Sequence, residues 1–260
     1  PFWQGLRGLG TELWLDTGDL EAAAGLWSRE FTALTTNNTL LNKEIQKGIY
    51  DSVVEAVGPL LADLELEERV IEIAFLLNAL HGLKLVAAFG ARVSVELHTD
   101  LAHDLDATGW YGQRLFDICP ERFIVKVPLT PAGYLAARRL SLSGVRVNFT
   151  LGFSARQNHL AAVLAEPAYV NVFLGRLNSF VTGNHLGDGK NVGGRTLVAS
   201  QVAVSELRRS RGVPTRQIAA SMREGQQVAR LAGSDVMTLP LRVAEAFVSE
   251  PGLDDPLVPF

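Results

Sequence analysis

A (β/α)8 barrel is the fold this sequence predicts, on three observations. Short apolar or β-branched runs alternate with longer segments of helical period along the chain. Eight such units fit in 260 residues, the usual size of one barrel. Polar residues recur at the C-terminal ends of the short runs, where a barrel assembles its active site. An open doubly wound sheet shares the alternation and is the competing architecture. No linker rich in Pro or Ser divides the chain, so one domain over 1–260 is expected.

The strands are predicted at Leu13–Asp16, Ala33–Asn37, Val93–Leu97, Phe123–Val127, Val145–Leu151, Tyr169–Phe173, Ile218–Ala220 and Val236–Leu239. Each is short and rich in Val, Ile, Leu or aromatic residues, as a strand buried on both faces must be. Helical period covers Leu20–Thr32, Asn42–Gly58, Leu66–His81, Pro131–Leu140, Ser154–Leu164, Thr196–Ser210 and Glu224–Leu231. The glycine-rich segment Asn178–Gly194 follows the sixth strand and is expected to be a mobile loop, a candidate lid over the site.

Composition narrows the classes. Net charge is −4 with no polybasic tract, and aromatic residues are not interleaved with basic ones, so a nucleic-acid partner is not expected. One cysteine, Cys119, excludes an intramolecular disulfide framework and a cysteine zinc cage. No apolar run is expected to reach the length of a membrane span, and Pro1-Phe2-Trp3-Gln4 lacks a signal peptide's pattern. A cytoplasmic protein without a membrane partner is the expectation.

Lys126 is the most informative residue. It interrupts Phe123-Ile124-Val125-Lys126-Val127-Pro128, where a central strand buries its side chains. Desolvating an ammonium costs several kcal/mol. Burial therefore favours the free amine, a nucleophile towards a ketone or aldehyde. The strands supply partners for such chemistry: Asp16, Asn37 and Glu96 end the first three, Asn148 and Thr150 lie on the fifth, Asn171 lies on the sixth with Arg176 just beyond it, and Ser221 and Arg223 follow the seventh. A Schiff base on Lys126 would be an electron sink for cleaving the adjacent carbon–carbon bond. Asp16 and Glu96 would shuttle protons, Thr150 would help to hold a water, and Arg176 with Arg223 would suit a phosphate.

In this order the motifs resemble the transaldolase family. The matching stretches are Leu15-Asp16-Thr17-Gly18-Asp19-Leu20, Thr35-Thr36-Asn37, Val93-Ser94-Val95-Glu96, Ile124 to Thr130 with Gly133, Val147-Asn148-Phe149-Thr150-Leu151, Phe173-Leu174-Gly175-Arg176 and Ala220-Ser221-Met222-Arg223. The resemblance implies a single barrel with Lys126 as Schiff-base nucleophile and Asp16 as acid/base at carbon–carbon cleavage. It implies that Glu96 and Thr150 hold the water of imine formation. Asn37 and Asn148 would bind substrate hydroxyls or orient Lys126, Asn171 and Phe173 would face the substrate, and Arg176, Ser221 and Arg223 would grip its phosphate. The implied reaction moves a dihydroxyacetone unit from fructose 6-phosphate or sedoheptulose 7-phosphate to an aldose phosphate, in the non-oxidative pentose phosphate pathway. No metal or organic cofactor is implied, and a homo-oligomer is left open.

Two departures mark this chain: Asn38 stands where the family usually has Pro, and Asn171-Val172-Phe173 where it usually has Ser-Pro-Phe. The nearest rival is an aldolase of the same superfamily, which releases dihydroxyacetone. Those relatives tend to carry Gln at the place of Glu96 and Tyr at that of Phe173, so this chain favours transfer. A sugar-phosphate-binding barrel without turnover is the third reading. Ser154 is expected to cap a helix, Cys119 to be structural, and Trp3, Trp14, Trp27 and Trp110 to serve packing.

Overall fold

The computed structural model describes residues 2–249. Eight parallel strands close on themselves: β1 (Glu12–Asp16), β2 (Phe31–Thr35), β3 (Arg92–Glu96), β4 (Phe123–Pro128), β5 (Val147–Thr150), β6 (Tyr169–Phe173), β7 (Arg216–Ala220) and β8 (Val236–Pro240). Each pairs with its sequence neighbours, and β8 returns to β1, with Asp16 opposite Pro240. Closure is what excludes the open sheet, since no strand is left with a free edge.

Strand alternation sorts the side chains into two layers. Residues such as Leu13, Leu15, Val93, Val95, Val125 and Val147 face outward, into an apolar shell shared with the helices. Trp14, Ala33, Ile124, Tyr169, Ile218 and Val236 face inward and fill the middle of the barrel. Beneath that plug, Glu12 accepts hydrogen bonds from Trp14 Nε1 (2.8 Å), Thr32 Oγ1 (2.8 Å), Arg92 Nη2 (2.6 Å) and Arg216 Nη1. Burial pushes the Glu12 carboxyl up, but these bonds and the two guanidinium charges outweigh it and hold the group below the usual carboxylate range. The base of the barrel is thus filled by ion pairs and hydrogen bonds around Glu12.

The helices needed several corrections. The predicted Leu20–Thr32 ends at Leu26, because Trp27 is already extended (ψ 128°) and Phe31 starts β2. The predicted Asn42–Gly58 breaks into Asn38–Ile45 and Asp51–Val57, separated at Gly48 by a left-handed φ of 75°. Leu66–His81 runs on to Phe89 and stops at the left-handed Gly90. This 24-residue helix is long and apolar enough, by length and composition, to cross a membrane, which corrects the expectation that no run reaches that length. Here it packs against β3. Gly82 lets it lie close to the barrel: a Cβ there would stand 3.0 Å from Val95 of β3 and 2.8 Å from the Phe123 ring of β4.

Among the described residues, four α-helices escaped the sequence reading: Phe2–Gly8, Leu105–Ile118, Leu174–Gly183 and Leu241–Ser249. Trp3 of the first packs against Phe31 and Phe247, so the N-terminal segment covers the barrel's base. The segment Asn178–Gly194 is not one loop. Its first part is helix to Gly183, and Val192–Arg211 is the next helix. Asn178 Oδ1 accepts the Gly193 N–H at 2.8 Å, tying the two together. Ser154 does cap Ala155–Leu164, accepting the Gln157 N–H. Trp110 is the exception among the tryptophans: it is half exposed, with the Arg114 guanidinium 4.1 Å from its ring.

Candidate active site

A cavity of about 470 Å³ opens at the C-terminal ends of the strands. Asp16, Asn37, Glu96, Lys126, Asn148, Asn171, Phe173, Arg176, Ser221 and Arg223 all line it, which brings together every predicted site residue but Thr150. Thr150 ends β5, fully buried outside the lining, and its Oγ1 has no protein partner.

Register sets the centre of the site. Glu96 on β3 and Lys126 on β4 are direct partners, as are Lys126 and Asn148 on β5. Lys126 is 6% exposed, and its Nζ donates to the Thr36 carbonyl at 3.1 Å. Glu96 Oε1 stands 3.4 Å from Nζ, so the buried nitrogen faces a counter-charge that sequence reasoning could not place. Glu96 Oε2 accepts the main-chain N–H of Asn38 at 3.0 Å. A Pro at position 38 would have no such hydrogen.

A second chain of polar contacts runs around the interior. Asn148 Nδ2 donates to Ser94 Oγ (3.0 Å), and Asn171 Nδ2 donates to Asn148 Oδ1 (3.0 Å). Asn171 Oδ1 remains unpartnered. The two asparagines therefore hold one another beside Lys126 with an acceptor to spare. Asn37 is half committed: its Oδ1 caps the helix Asn38–Ile45 by accepting the Leu40 N–H at 2.9 Å.

Asp16 lies on the far side of β2 and β3 from Lys126. It accepts from Thr35 Oγ1 at 3.0 Å, and Thr35 in turn meets Thr238 Oγ1 at 2.7 Å. Burial pushes the Asp16 carboxyl up, the Lys126 charge and the Thr35 bond oppose this, and the net shift is upward. A raised carboxyl gives up a proton less readily than a solvated one, which suits it to exchange a proton with a bound substrate.

Cations occupy the opposite arc. Arg176 follows β6, Arg223 follows β7, and Arg242 stands in the first turn of the helix after β8; all three line the cavity. The first two loops are laced together: Gly175 N–H donates to the Ser221 carbonyl at 2.9 Å. Gly175 must be glycine, because a Cβ would lie 2.5 Å from both that oxygen and Arg223 Nε. Ser221 holds a left-handed φ of 58° and Leu151, also in the lining, one of 67°. Strain of this kind costs about 1–2 kcal/mol per residue and concentrates at functional sites.

A buried lysine beside a carboxylate, a second buried carboxyl, and guanidinium groups across the way share one cavity. Over residues 13–257 the sequence matches the family model described as transaldolase/fructose-6-phosphate aldolase. The chain belongs to that family. It is 34% identical over 252 residues to a probable transaldolase of Thermus thermophilus, covering 94% of this chain and 93% of that one. To a transaldolase of Xanthomonas oryzae pv. oryzae it is 30% identical over 251 residues, 91% of this chain and 75% of the relative. Membership makes this an enzyme of the transaldolase type.

Around this site, sequence reasoning missed Arg242 and Thr238, and gave no part to Asn38 or Thr35. Arg242 was findable: it follows β8 by two residues, much as Arg176 and Arg223 follow β6 and β7 by three. Asn38 was noticed only as a departure, since a main-chain hydrogen bond leaves no mark on residue type. Among the described residues no cluster of His, Cys, Asp and Glu could hold a metal ion.

Proposed function

We propose that this enzyme transfers a dihydroxyacetone unit from a ketose phosphate, fructose 6-phosphate or sedoheptulose 7-phosphate, to an aldose phosphate through a Schiff base on Lys126. The observation that carries the reading is the placement of Lys126 Nζ: nearly buried, 3.4 Å from Glu96, and in one cavity with Arg176 and Arg223.

In the proposed sequence the Lys126 amine adds to the donor's ketone carbon, and the carbinolamine loses water to give a protonated imine. Glu96 moves the protons of addition and dehydration, and the water is held between it and the unspent Thr150 hydroxyl. Asp16 then takes the proton of the C4 hydroxyl as the C3–C4 bond breaks, and the bonding pair flows into the imine. The aldose phosphate leaves and a three-carbon enamine stays on Lys126. The acceptor aldehyde takes up that electron pair at its carbonyl carbon, and its oxygen recovers the proton from Asp16. Hydrolysis of the new imine frees the product. Asn37, Asn148 and Asn171 bind hydroxyls of the three-carbon unit, while Arg176, Ser221 and Arg223 hold the phosphate across the cavity.

Phe173 supports transfer over release. It lines the cavity without a hydroxyl to hold a hydrolytic water, and its ring lies 5.2 Å from the Arg176 guanidinium. The chemistry belongs to the non-oxidative pentose phosphate pathway, consistent with a cytoplasmic enzyme.

Borohydride trapping with fructose 6-phosphate, read by peptide mass spectrometry, tests the reading. A reduced three-carbon adduct on Lys126, with turnover that requires erythrose 4-phosphate, is expected. Release of dihydroxyacetone without an acceptor would make the enzyme an aldolase, and no adduct would overturn the role of Lys126.

A further inference from the structure

We propose that Thr238 is a positioning residue for Asp16: its hydroxyl donates to Thr35, so that the single Thr35 hydrogen stays on Asp16 Oδ1 and Oδ2 is left to exchange the proton of carbon–carbon cleavage. The proposal rests on Lys126 being the Schiff-base lysine and on Asp16 taking that proton. β1 stands between β8 and β2, and Thr238 is the register partner of Trp14 as Thr35 is of Asp16. Both threonines therefore point into the barrel beside Trp14 and Asp16. They line the cavity while nearly buried, Thr238 5% and Thr35 3% exposed. Thr35 Oγ1 donates to Asp16 Oδ1 at 3.0 Å and lies 2.7 Å from Thr238 Oγ1.

Hydrogen counting sets the direction of this chain. A hydroxyl has one hydrogen to donate and a carboxylate has none. Asp16 must be a carboxylate at the moment it takes a proton, so Thr35 spends its hydrogen there. The 2.7 Å contact is then an O–H···O bond with Thr238 as the donor. Accepting that bond stops the Thr35 hydroxyl from turning and polarises it towards Asp16. Among the described residues, Thr35 is the one hydrogen-bond donor to the Asp16 side chain. Oδ1 is thus anchored and Oδ2 is the working oxygen. It takes the C4 hydroxyl proton as the C3–C4 bonding pair passes into the imine. The same oxygen returns the proton to the acceptor's oxygen when the new bond forms. Without Thr238 the Thr35 hydroxyl rotates, and the carboxylate loses its fixed orientation.

Thr238→Val keeps the side-chain shape and removes the donor, whereas Thr238→Ser keeps the donor. Imine formation is assigned to Glu96 and cleavage to Asp16, so a fault at Thr238 separates the two steps. Each enzyme is mixed with fructose 6-phosphate, quenched with borohydride at timed intervals, and read by peptide mass spectrometry for six-carbon and three-carbon adducts on Lys126. Loss of one hydrogen bond predicts conversion of the first adduct to the second about fivefold slower in Thr238→Val, with the six-carbon adduct forming within about twofold of the wild-type rate. Thr238→Ser restores conversion to within about twofold of wild type. On Thr35→Val, where the chain is already cut, the Thr238→Val and Thr238→Ser variants become equal. Equal conversion in the two variants with Thr35 present, equal slowing of both steps, or a difference that persists on Thr35→Val would overturn the proposal. Wild-type enzyme without an adduct would instead overturn the reading of Lys126. Should Thr238→Val melt below the assay temperature, Thr238→Cys, whose thiol is a weak donor, decides by the same two rates.

Discussion

Glu96 and Lys126 stand side by side at one level of the barrel, register partners between β3 and β4, with Oε1 3.4 Å from Nζ. Parallel neighbours in register point the same way, so the pairing follows from the ladder itself. A slip of one residue would turn Lys126 into the apolar shell, where Val125 and Val127 lie fully buried.

Lys126→Met keeps the apolar stem and removes the proposed nucleophile. The borohydride adduct should disappear and turnover should fall by at least about 10³-fold, since no other lysine is among the residues that line the cavity. Trapping and steady-state assays on the same preparation check this. Retained turnover would sink the covalent mechanism.

Asp16→Asn should cost activity and add stability. The folded Asp16 carboxyl is raised by burial, opposed in part by Lys126 and Thr35. Its contribution to stability is full below the unfolded value and is lost as pH rises through the raised folded value. The Tm advantage of the variant should therefore be small near pH 4 and grow towards pH 8, while kcat falls about 10²–10⁴-fold. Thermal melts across that range measure the first effect. A constant Tm difference would argue against an Asp16 carboxyl raised by burial.

Arg176→Ala and Arg223→Ala should raise KM for fructose 6-phosphate about 10–100-fold each while leaving unphosphorylated fructose nearly unaffected. The wild-type advantage should shrink as ionic strength rises, because these guanidinium groups are exposed. Arg242→Ala, from the same arc, tests whether the third cation shares that phosphate. Equal effects on both sugars would show that the arginines shape the cavity instead.

Glu12→Gln acts at the other end of the barrel. It leaves Arg92 and Arg216 without their carboxylate and should destabilise by about 3 kcal/mol, with kcat of the folded enzyme unchanged. Glu12 is held below the usual carboxylate range, so its contribution is present above the unfolded value and is lost as pH falls through the folded one. The Tm gap between wild type and variant should narrow in acid, which melts at pH 3–7 would reveal.

All eight strands were legible because a strand buried on both faces is a short apolar run, and Tyr169–Phe173 was placed to the residue. Helices were less so. Leu105–Ile118 and Leu241–Ser249 have a clear apolar face but were overlooked, and the start of the first is set by a cap, Asp104 Oδ1, which accepts from the Asp106 and Ala107 N–H groups. Rim residues were legible because a charged or amide group at a strand end is conspicuous. Asn38 and Thr238 were not, because their parts are a main-chain N–H and a hydroxyl contact across the barrel from Thr35.

The sequence by itself determined the order of strands and helices, the lysine inside a buried strand and the residue types at the rim. These are set by period and by the cost of burying a charge, both local properties of the chain. Only the tertiary structure decided which groups meet. Closure of β8 onto β1 placed Pro240 beside Asp16, and the β3–β4 register set Glu96 against Lys126. The lacing of Gly175 to Ser221 carried Arg176 and Arg223 to one arc. Distances of about 3 Å between residues far apart in the chain come from the barrel's geometry, which no local pattern encodes.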